Sequence, residues 1–263
     1  MTTAVQDYRR KLYAIRDLPT LPVIAQRILT LSDDDGAGAD KLSEIIRSDQ
    51  ALSVKVLSLA NSAYFGYRAK IGTIHQAVVV IGTNMLKQLA LSVSVCGSLD
   101  KNRRSRTAFW RHSLASAMAA SVIAKKAKIP SADACFMGGL LHDIGKLILD
   151  TYPPEADCDK DCVVTHSEVG AWMAERWQLP PELVDAIACH HSPDYGGLAT
   201  ARTVACVSLA SACAHIAAAD TAEGHAIEVH PITLETLGFN DAEFVEIAAN
   251  LQSRIGQVDE FLI

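Results

Sequence analysis

The chain has 263 residues, 49% of them hydrophobic and 21% charged, a balance that suits a globular protein with a large core and excludes a disordered one. A formal net charge of -6 and a pI near 5.8 give no basic excess of the kind that grips a phosphate backbone, so nucleic acid is not an expected partner. No apolar run reaches the roughly 18 residues of a membrane span, and residues 1–7 carry no basic-then-apolar leader, so a cytoplasmic protein with no membrane partner is expected.

Val5, Tyr8, Leu12 and Ile15 recur at helical spacing and predict a short amphipathic helix over about residues 4–15. Pro19 and Pro22 interrupt the chain before Val23, Ile24, Arg27, Ile28 and Leu31 predict a second helix. It is ended by Ser32-Asp33-Asp34-Asp35-Gly36-Ala37-Gly38, read as a solvated loop; cation capture by the aspartates is the sharper alternative. Asp40 can cap a third helix with Leu42, Ile45 and Ile46 inward, and Asp49 a fourth with Leu52, Val56, Leu59 and Ala60 as its apolar stripe. The aromatics of Tyr64-Phe65-Gly66-Tyr67 read as core residues at a helix end, or alternatively as a docking patch. Residues 74–81 are β-branched enough to imitate a strand. With Gly82, Met85, Leu86, Leu89 and Leu91 beyond, two short helices fit better, and His75 reads as a capping or surface residue.

The basic run Asp100-Lys101-Asn102-Arg103-Arg104-Ser105-Arg106 reads as a linker, so the chain divides into residues 1–100 and 107–263. A helix rich in Ala and Ser follows over about 108–128 and carries His112. Ser131 opens a helix with Phe136, Gly139, Leu140, His142, Asp143, Lys146, Leu147 and Leu149. Gly138-Gly139 within it costs about 1 kcal/mol per residue against Ala, which points to a neighbouring helix packed close. Pro153-Pro154 ends this segment, and Cys158 and Cys162 lie in the polar loop after it. With no second cysteine pair to complete a zinc site, these are read as unpaired thiols. The odd total of seven cysteines agrees with reduced thiols throughout, those at Cys96, Cys135, Cys189, Cys206 and Cys213 being buried. Thr165 or Ser167 caps a helix with Val169, Trp172, Met173 and Trp177 on its core side. Pro181 suits the first turn of a helix over 182–191 that ends in His190-His191. A long apolar helix over about 199–219 includes Ser211, and one amphipathic helix near 241–261 closes the chain. The sum is an all-α, multi-helix bundle.

The stretch Leu140-Leu141-His142-Asp143-Ile144-Gly145-Lys146-Leu147 carries the chemistry, because it sets a metal-ligand pair in an otherwise apolar run. An isolated carboxylate there costs several kcal/mol, so Asp143 is expected to be ion-paired, hydrogen-bonded or bound to a cation. Four further histidines, His112, His166, His190 and His191, are available to converge on it. The alternative is a cluster whose members satisfy one another without metal.

His112 followed by His142-Asp143 resembles the HD superfamily of metal-dependent phosphohydrolases, and His166 with His190-His191 resembles its two-metal HD-GYP branch. The N-terminal half resembles something narrower, the HDOD domain (HD-related output domain) of bacterial signalling proteins. That likeness rests on Leu18-Pro19-Thr20-Leu21-Pro22, Ile45-Ile46-Arg47-Ser48-Asp49-Gln50-Ala51-Leu52, Leu59-Ala60-Asn61-Ser62-Ala63-Tyr64-Phe65-Gly66, Ile71-Gly72-Thr73-Ile74-His75-Gln76-Ala77-Val78 and Ile81-Gly82, and covers about residues 15–215. It implies one continuous HDOD unit, an HDOD-type helical half packed on an HD-like helical half, with a helical tail. It also implies one divalent ion on His112, His142 and Asp143 and a second on His166, His190 and His191, with Asp143 bridging and Lys146 contacting a phosphate. The metal could be Fe, Mn, Ni, Zn or Mg. Two departures stand out. Ser211 falls where HD enzymes place their last aspartate, and after His191 the chain reads Ser192-Pro193-Asp194-Tyr195-Gly196-Gly197 in place of a Gly-Tyr-Pro signature. The resemblance therefore implies a signal-transduction output module acting on a signalling protein or a small ligand; the alternative is a phosphohydrolase of a nucleotide or other phosphate ester.

Overall fold

The computed structural model describes residues 3–15, 20–31, 36–61, 67, 70–99, 107–154, 164–192, 199–218, 229–253 and 256. Among them every regular element is an α-helix: α1 (Thr3–Ala14), α2 (Val23–Leu29), α3 (Gly36–Arg47), α4 (Gln50–Ala60), α5 (Ile74–Ile81), α6 (Thr83–Leu99), α7 (Thr107–Lys126), α8 (Ala132–Leu141), α9 (Ile144–Thr151), α10 (His166–Arg176), α11 (Pro181–Cys189), α12 (Ala201–Ala218), α13 (Pro231–Leu237) and α14 (Asp241–Gln252). The Leu18-Pro19 pair, the aspartates at 33–35, the aromatics at 64 and 65, the basic run, the Cys158–Cys162 loop and residues 193–197 lie outside the described residues, as does the side chain of Cys96.

The chain falls into two compact units, Met1–Thr20 with His112–Gln252, and Leu21–Arg111 with Ser253–Ile263. This differs from a division into residues 1–100 and 107–263: α1 belongs with the second half, and the boundary falls inside α7. The reason is apolar burial. Val5, Tyr8 and Leu12 pack with Ile148, Val169, Trp172 and Met173 in one cluster. Polar contacts fix the register, because Tyr8 donates its hydroxyl proton to the Tyr152 carbonyl (2.6 Å) and Tyr13 to the Trp172 carbonyl (3.0 Å).

In the unit of α2 to α6, α6 packs against α2, α3, α4 and α5 around the fully buried Ile28, Leu42, Ile46 and Leu86. Asp49 caps α4 as expected, accepting from the Leu52 amide at 3.0 Å, and Thr73 caps α5. Asn61 ties the end of α4 to the segment before α5: its side chain accepts from the Ile71 amide (2.7 Å) and donates to the Ile71 carbonyl (2.8 Å). Gly82, at φ 85, supplies the positive-φ link between α5 and α6. Two expectations differ in extent, since α3 begins at Gly36 instead of after Asp40, and α6 runs 17 residues.

In the other unit α12 is central, burying Val204, Ala205, Cys206, Val207, Leu209, Ala210, Cys213 and Ala214 against α8, α11, α13 and α14. Cys189 is only half buried, while Cys135, Cys206 and Cys213 are buried free thiols. The tail carries α13 in addition to α14, a helix opened by Pro231 behind the His230 cap and closed by Gly238 at φ 73. Leu12 is 1% exposed, so Leu12→Ala leaves a cavity between α1 and its neighbours. Chemical denaturation is expected to show a loss of about 2–5 kcal/mol.

Candidate metal centre

The helix expected to run from Ser131 past Leu149 is two helices. α8 stops at Leu141, His142 and Asp143 form the turn, and α9 starts at Ile144. The His142 amide still donates to the Gly138 carbonyl (2.8 Å), and the Lys146 amide closes a tight turn on the Asp143 carbonyl (2.8 Å). The break seats Asp143 at the N-cap position of α9, with its side chain turned to the histidines and not capping the helix. His142 is wholly buried and Asp143 is 2% exposed.

Glycines set how closely the neighbouring helices approach this turn. A Cβ on Gly139 would stand 2.8 Å from the Ser116 carbonyl oxygen, so α7 lies backbone-close to α8 and brings His112 within reach. A Cβ on Gly145 would overlap the His166 carbonyl oxygen and stand 2.7 Å from the Gly170 nitrogen, so α9 and α10 touch through their backbones. His166 is thereby fixed as the first residue of α10, whose start is locked by a capping box between Thr165 and Glu168. His190 is the C-cap of α11, and His191 follows it.

These placements bring His112, His142, Asp143, Lys146, His166, His190 and His191 to one point. The two carboxylate oxygens of Asp143 divide the cluster. Oδ1 lies 3.1 Å from His166 Nε2 and 3.7 Å from His190 Nε2. Oδ2 lies 3.4 Å from His142 Nε2, 3.7 Å from His112 Nε2 and 2.6 Å from Lys146 Nζ. The ring nitrogens crowd one another: 3.2 Å for His112 with His142, 3.3 Å for His166 with His190, and 3.1 Å for His166 with His191. Two donor sets result, each within 4.8 Å throughout: Asp143, His166, His190 and His191, and His112, His142 and Asp143.

Protonation favours cation binding. His142 Nδ1 lies 2.9 Å from the Gly139 carbonyl and His190 Nδ1 2.9 Å from that of Ile187. A carbonyl only accepts, so each Nδ1 carries the proton, and in the neutral ring Nε2 turns a lone pair to the cluster. Burial, with the neighbouring His142 and His215, pushes His112 down to about 3, and burial takes His190 down to about 4 and also lowers His191. Neutral imidazole is the ligand form. Burial pushes the Asp143 carboxyl up, and hydrogen bonding from the His142, His166 and His190 rings, wherever Nε2 carries the proton, pulls it well below the usual carboxylate range. The Lys146 ammonium at Oδ2 secures the same direction whichever ring nitrogens carry protons. Oδ1 is buried and, despite the rings near it, has no hydrogen bond of acceptable geometry among the described residues. An ionised, buried oxygen facing lone pairs is what a divalent cation relieves, so the donor set fits one.

Ser211 lies beside the cluster, with Oγ 3.4 Å from His112 Nε2, and Ser116 Oγ is 3.5 Å from the same atom. Sequence reasoning missed His215, whose ring centroid stands 4.1 Å from that of His112. Its spacing of four from Ser211 on α12 was the available signal. A cleft of about 630 Å³ opens beside the cluster, lined by Lys146, His166 and His191 together with Asp150, Leu149 and Val164.

An all-helical chain with histidines gathered on the aspartate of a His-Asp turn has the architecture of an HD-related domain. The chain belongs to the HDOD family, whose model matches residues 18–193. It is similar to the crystal structure of an HDOD domain protein of unknown function from Geobacter sulfurreducens, with 26% identity, a TM-score of 0.75, and 97% of this chain and 96% of that one covered. A candidate phosphohydrolase from Shewanella amazonensis shares the fold at 24% identity and a TM-score of 0.74, covering 99% of this chain and 97% of that one. Among curated proteins, an uncharacterized protein of Treponema pallidum is 27% identical over 199 residues, 68% of this chain and 38% of that protein. Ribonuclease Y of Thermus thermophilus is 35% identical over 127 residues, 48% of this chain and 19% of that enzyme. The chain thus spans less than two fifths of the length of these curated relatives. No helix among the described residues is long and apolar enough to cross a membrane.

Two outcomes follow from this geometry. Gly145→Ala forces α9 from α10, because no side chain can yield where the clash is with backbone. The variant is expected to lose cooperative thermal unfolding or several degrees of Tm, read by circular dichroism. The second concerns acid. In the unfolded chain His112 and His190 protonate near 6.5, whereas in the fold they stay neutral until about pH 3 and 4. Between these limits the unfolded state binds more protons, so stability present above pH 6.5 is lost as pH falls. The metal-free protein is expected to hold its Tm from pH 8 to 7 and lose it steadily from 6.5 to 4, with a shallower slope in His112→Gln.

Proposed function

We propose that this chain is an HDOD-type output module of bacterial signal transduction, acting in the cytoplasm, whose histidine–aspartate centre holds a divalent cation and offers it to a phosphate-bearing small ligand. The observation that carries this reading is the buried, ionised Asp143 Oδ1, without a hydrogen bond and ringed by imidazoles, beside an open cleft. An imidazole-rich set suits Fe, Mn, Ni or Zn better than Mg. Lys146, with 42% of its side chain exposed at the cleft, supplies a positive charge for a phosphate oxygen. The net charge of -6 favours a small anion guided by this local field over a nucleic acid held along a surface. A signalling protein as the receiver of the output is in keeping with the candidate signal transduction protein from Marinobacter aquaeolei that shares this fold at a TM-score of 0.78 and 20% identity, covering 98% of this chain and 64% of that one.

A second reading is a metal-dependent phosphohydrolase. It is supported by the relatives named for phosphoester cleavage and by the retained His112, His142-Asp143, His166 and His190-His191. A bound divalent ion would supply Lewis-acid polarisation of a phosphate and a water of lowered pKa. Asp143 would hold that ion, and Lys146 would hold the phosphate. Ser211 weighs against turnover, because it removes one negative charge and one hard oxygen from the His112 and His142 side.

Protein purified without chelator or a histidine tag is expected to carry Fe, Mn, Ni or Zn by elemental analysis, and Asp143→Ala to lose it. With added Mn²⁺, nucleoside mono- and diphosphates are expected to raise the wild-type Tm, and a panel of phosphomonoesters and phosphodiesters to be left intact. Metal-dependent hydrolysis abolished in Asp143→Ala would replace the regulatory reading with the enzymatic one. Absence of any metal binding would overturn both.

A further inference from the structure

The two oxygens of Asp143 are in different states. Oδ2 already has a cation against it, the Lys146 ammonium at 2.6 Å, its shortest contact. Oδ1 has none, is buried, and makes no hydrogen bond among the described residues. The donors are divided in the same sense. On the Oδ1 side stand three imidazoles, His166, His190 and His191, which with the carboxylate make four ligands, the number that satisfies a tetrahedral ion. On the Oδ2 side stand only His112 and His142, with the neutral Ser211 hydroxyl 3.4 Å from His112 Nε2 and no second carboxylate in the donor set among the described residues. His215 does not repair the deficit, since its ring lies against that of His112 at a tilt of 36° and contributes no nitrogen to the donor set.

We infer that Lys146 takes the place of a second metal ion: this chain holds one divalent cation, on the Oδ1 side, while the lysine ammonium neutralises Oδ2. Charge decides it. One carboxylate shared between two divalent ions would leave about three uncompensated positive charges in a largely buried cluster, and about four with the lysine still beside it. One ion plus one ammonium leaves about two, and part of that is exposed to solvent through the lysine. The cleft lined by Lys146, His166 and His191 adjoins the ion and the ammonium together, so an anion entering it meets both charges. This inference rests on the cation-holding reading above and adds to it the number of ions and the group that excludes the other.

The test is the stoichiometry and spectroscopy of Mn²⁺ on the metal-stripped 263-residue chain. Calorimetry of the wild type is expected to give one site per chain, with a mononuclear Mn²⁺ electron paramagnetic resonance signal and no exchange coupling. His191→Gln, an exposed-edge change, is expected to weaken that site at least tenfold. Lys146→Met, which keeps the stem and removes the charge, is expected to admit a second ion, and Ser211→Asp with Lys146→Met to bind it at least tenfold tighter, with exchange coupling between the ions. Circular dichroism melts check that each variant is folded. Two wild-type sites of similar affinity with a coupled signal would overturn the inference while leaving cation binding intact, as would a single site in Lys146→Met and in the double variant. A wild type that binds no ion would overturn the inference together with the reading on which it rests.

Discussion

A carboxylate that is 2% exposed in an all-helical core is tolerated only where its charge is met, and Asp143 is met from two sides. A lysine ammonium stands at one oxygen and a set of imidazole lone pairs at the other. Desolvation of such a group costs several kcal/mol, so the elements that deliver its neighbours are not interchangeable packing. The break between α8 and α9 turns the carboxylate inward, toward the imidazoles and the lysine. His142 is held by the Gly139 carbonyl and His190 by that of Ile187, one pinned ring for each oxygen. The remaining rings, His112, His166 and His191, lie nearer to solvent and complete the two donor sets.

Small residues make this convergence possible. Four helices have to approach one turn, and α7 and α10 do so with backbone against backbone at Gly139 and Gly145. Each glycine in a helix costs about 1 kcal/mol of propensity against Ala. That cost is offset by a contact that no larger residue permits: a side chain at 145 would occupy the space of the His166 carbonyl, and one at 170 would press on Ile187 and the Gly145 nitrogen. The same closeness leaves Asp143 no exit toward water, which is why its environment is so strongly polarised.

Much of this could be read from the residues, because the relevant signals are local. The helix caps at Asp49 and Thr165, the Gly138-Gly139 contact, and the set His112, His142, Asp143, His166, His190 and His191 depend on spacing and residue type. Three features could not be read, each because it depends on tertiary context. The run from Cys135 to Leu149 is apolar on nearly every side, so nothing local announces that it divides at His142-Asp143; the division arises from what the turn must face. The first helix carries an ordinary amphipathic pattern that is silent on which core it joins, and Trp172, Val169 and Ile148 decide that. His215 carries no signal of its own, because a lone histidine in an Ala-rich helix has no partner until the fold places His112 beside it.

α10 links the centre to the rest of its unit. It carries His166 as its first residue, Gly170 against α9 one turn later, and Val169, Trp172 and Met173 in the cluster shared with α1. From His166 to Trp172 is about 9 Å along the axis at 1.5 Å per residue, a distance over which a hydrogen-bonded helix moves as a unit. The position of the His166 ring is therefore not independent of the apolar seat of α1. A shift of α10 large enough to change the distance from His166 to Asp143 also has to move Trp172 against Tyr8, whose ring lies 6.4 Å away with its hydroxyl fixed to the Tyr152 carbonyl. The chemistry at the carboxylate and the packing of the chain's first helix are in this sense one mechanical system, held together by a close backbone contact at Gly145 that admits only glycine.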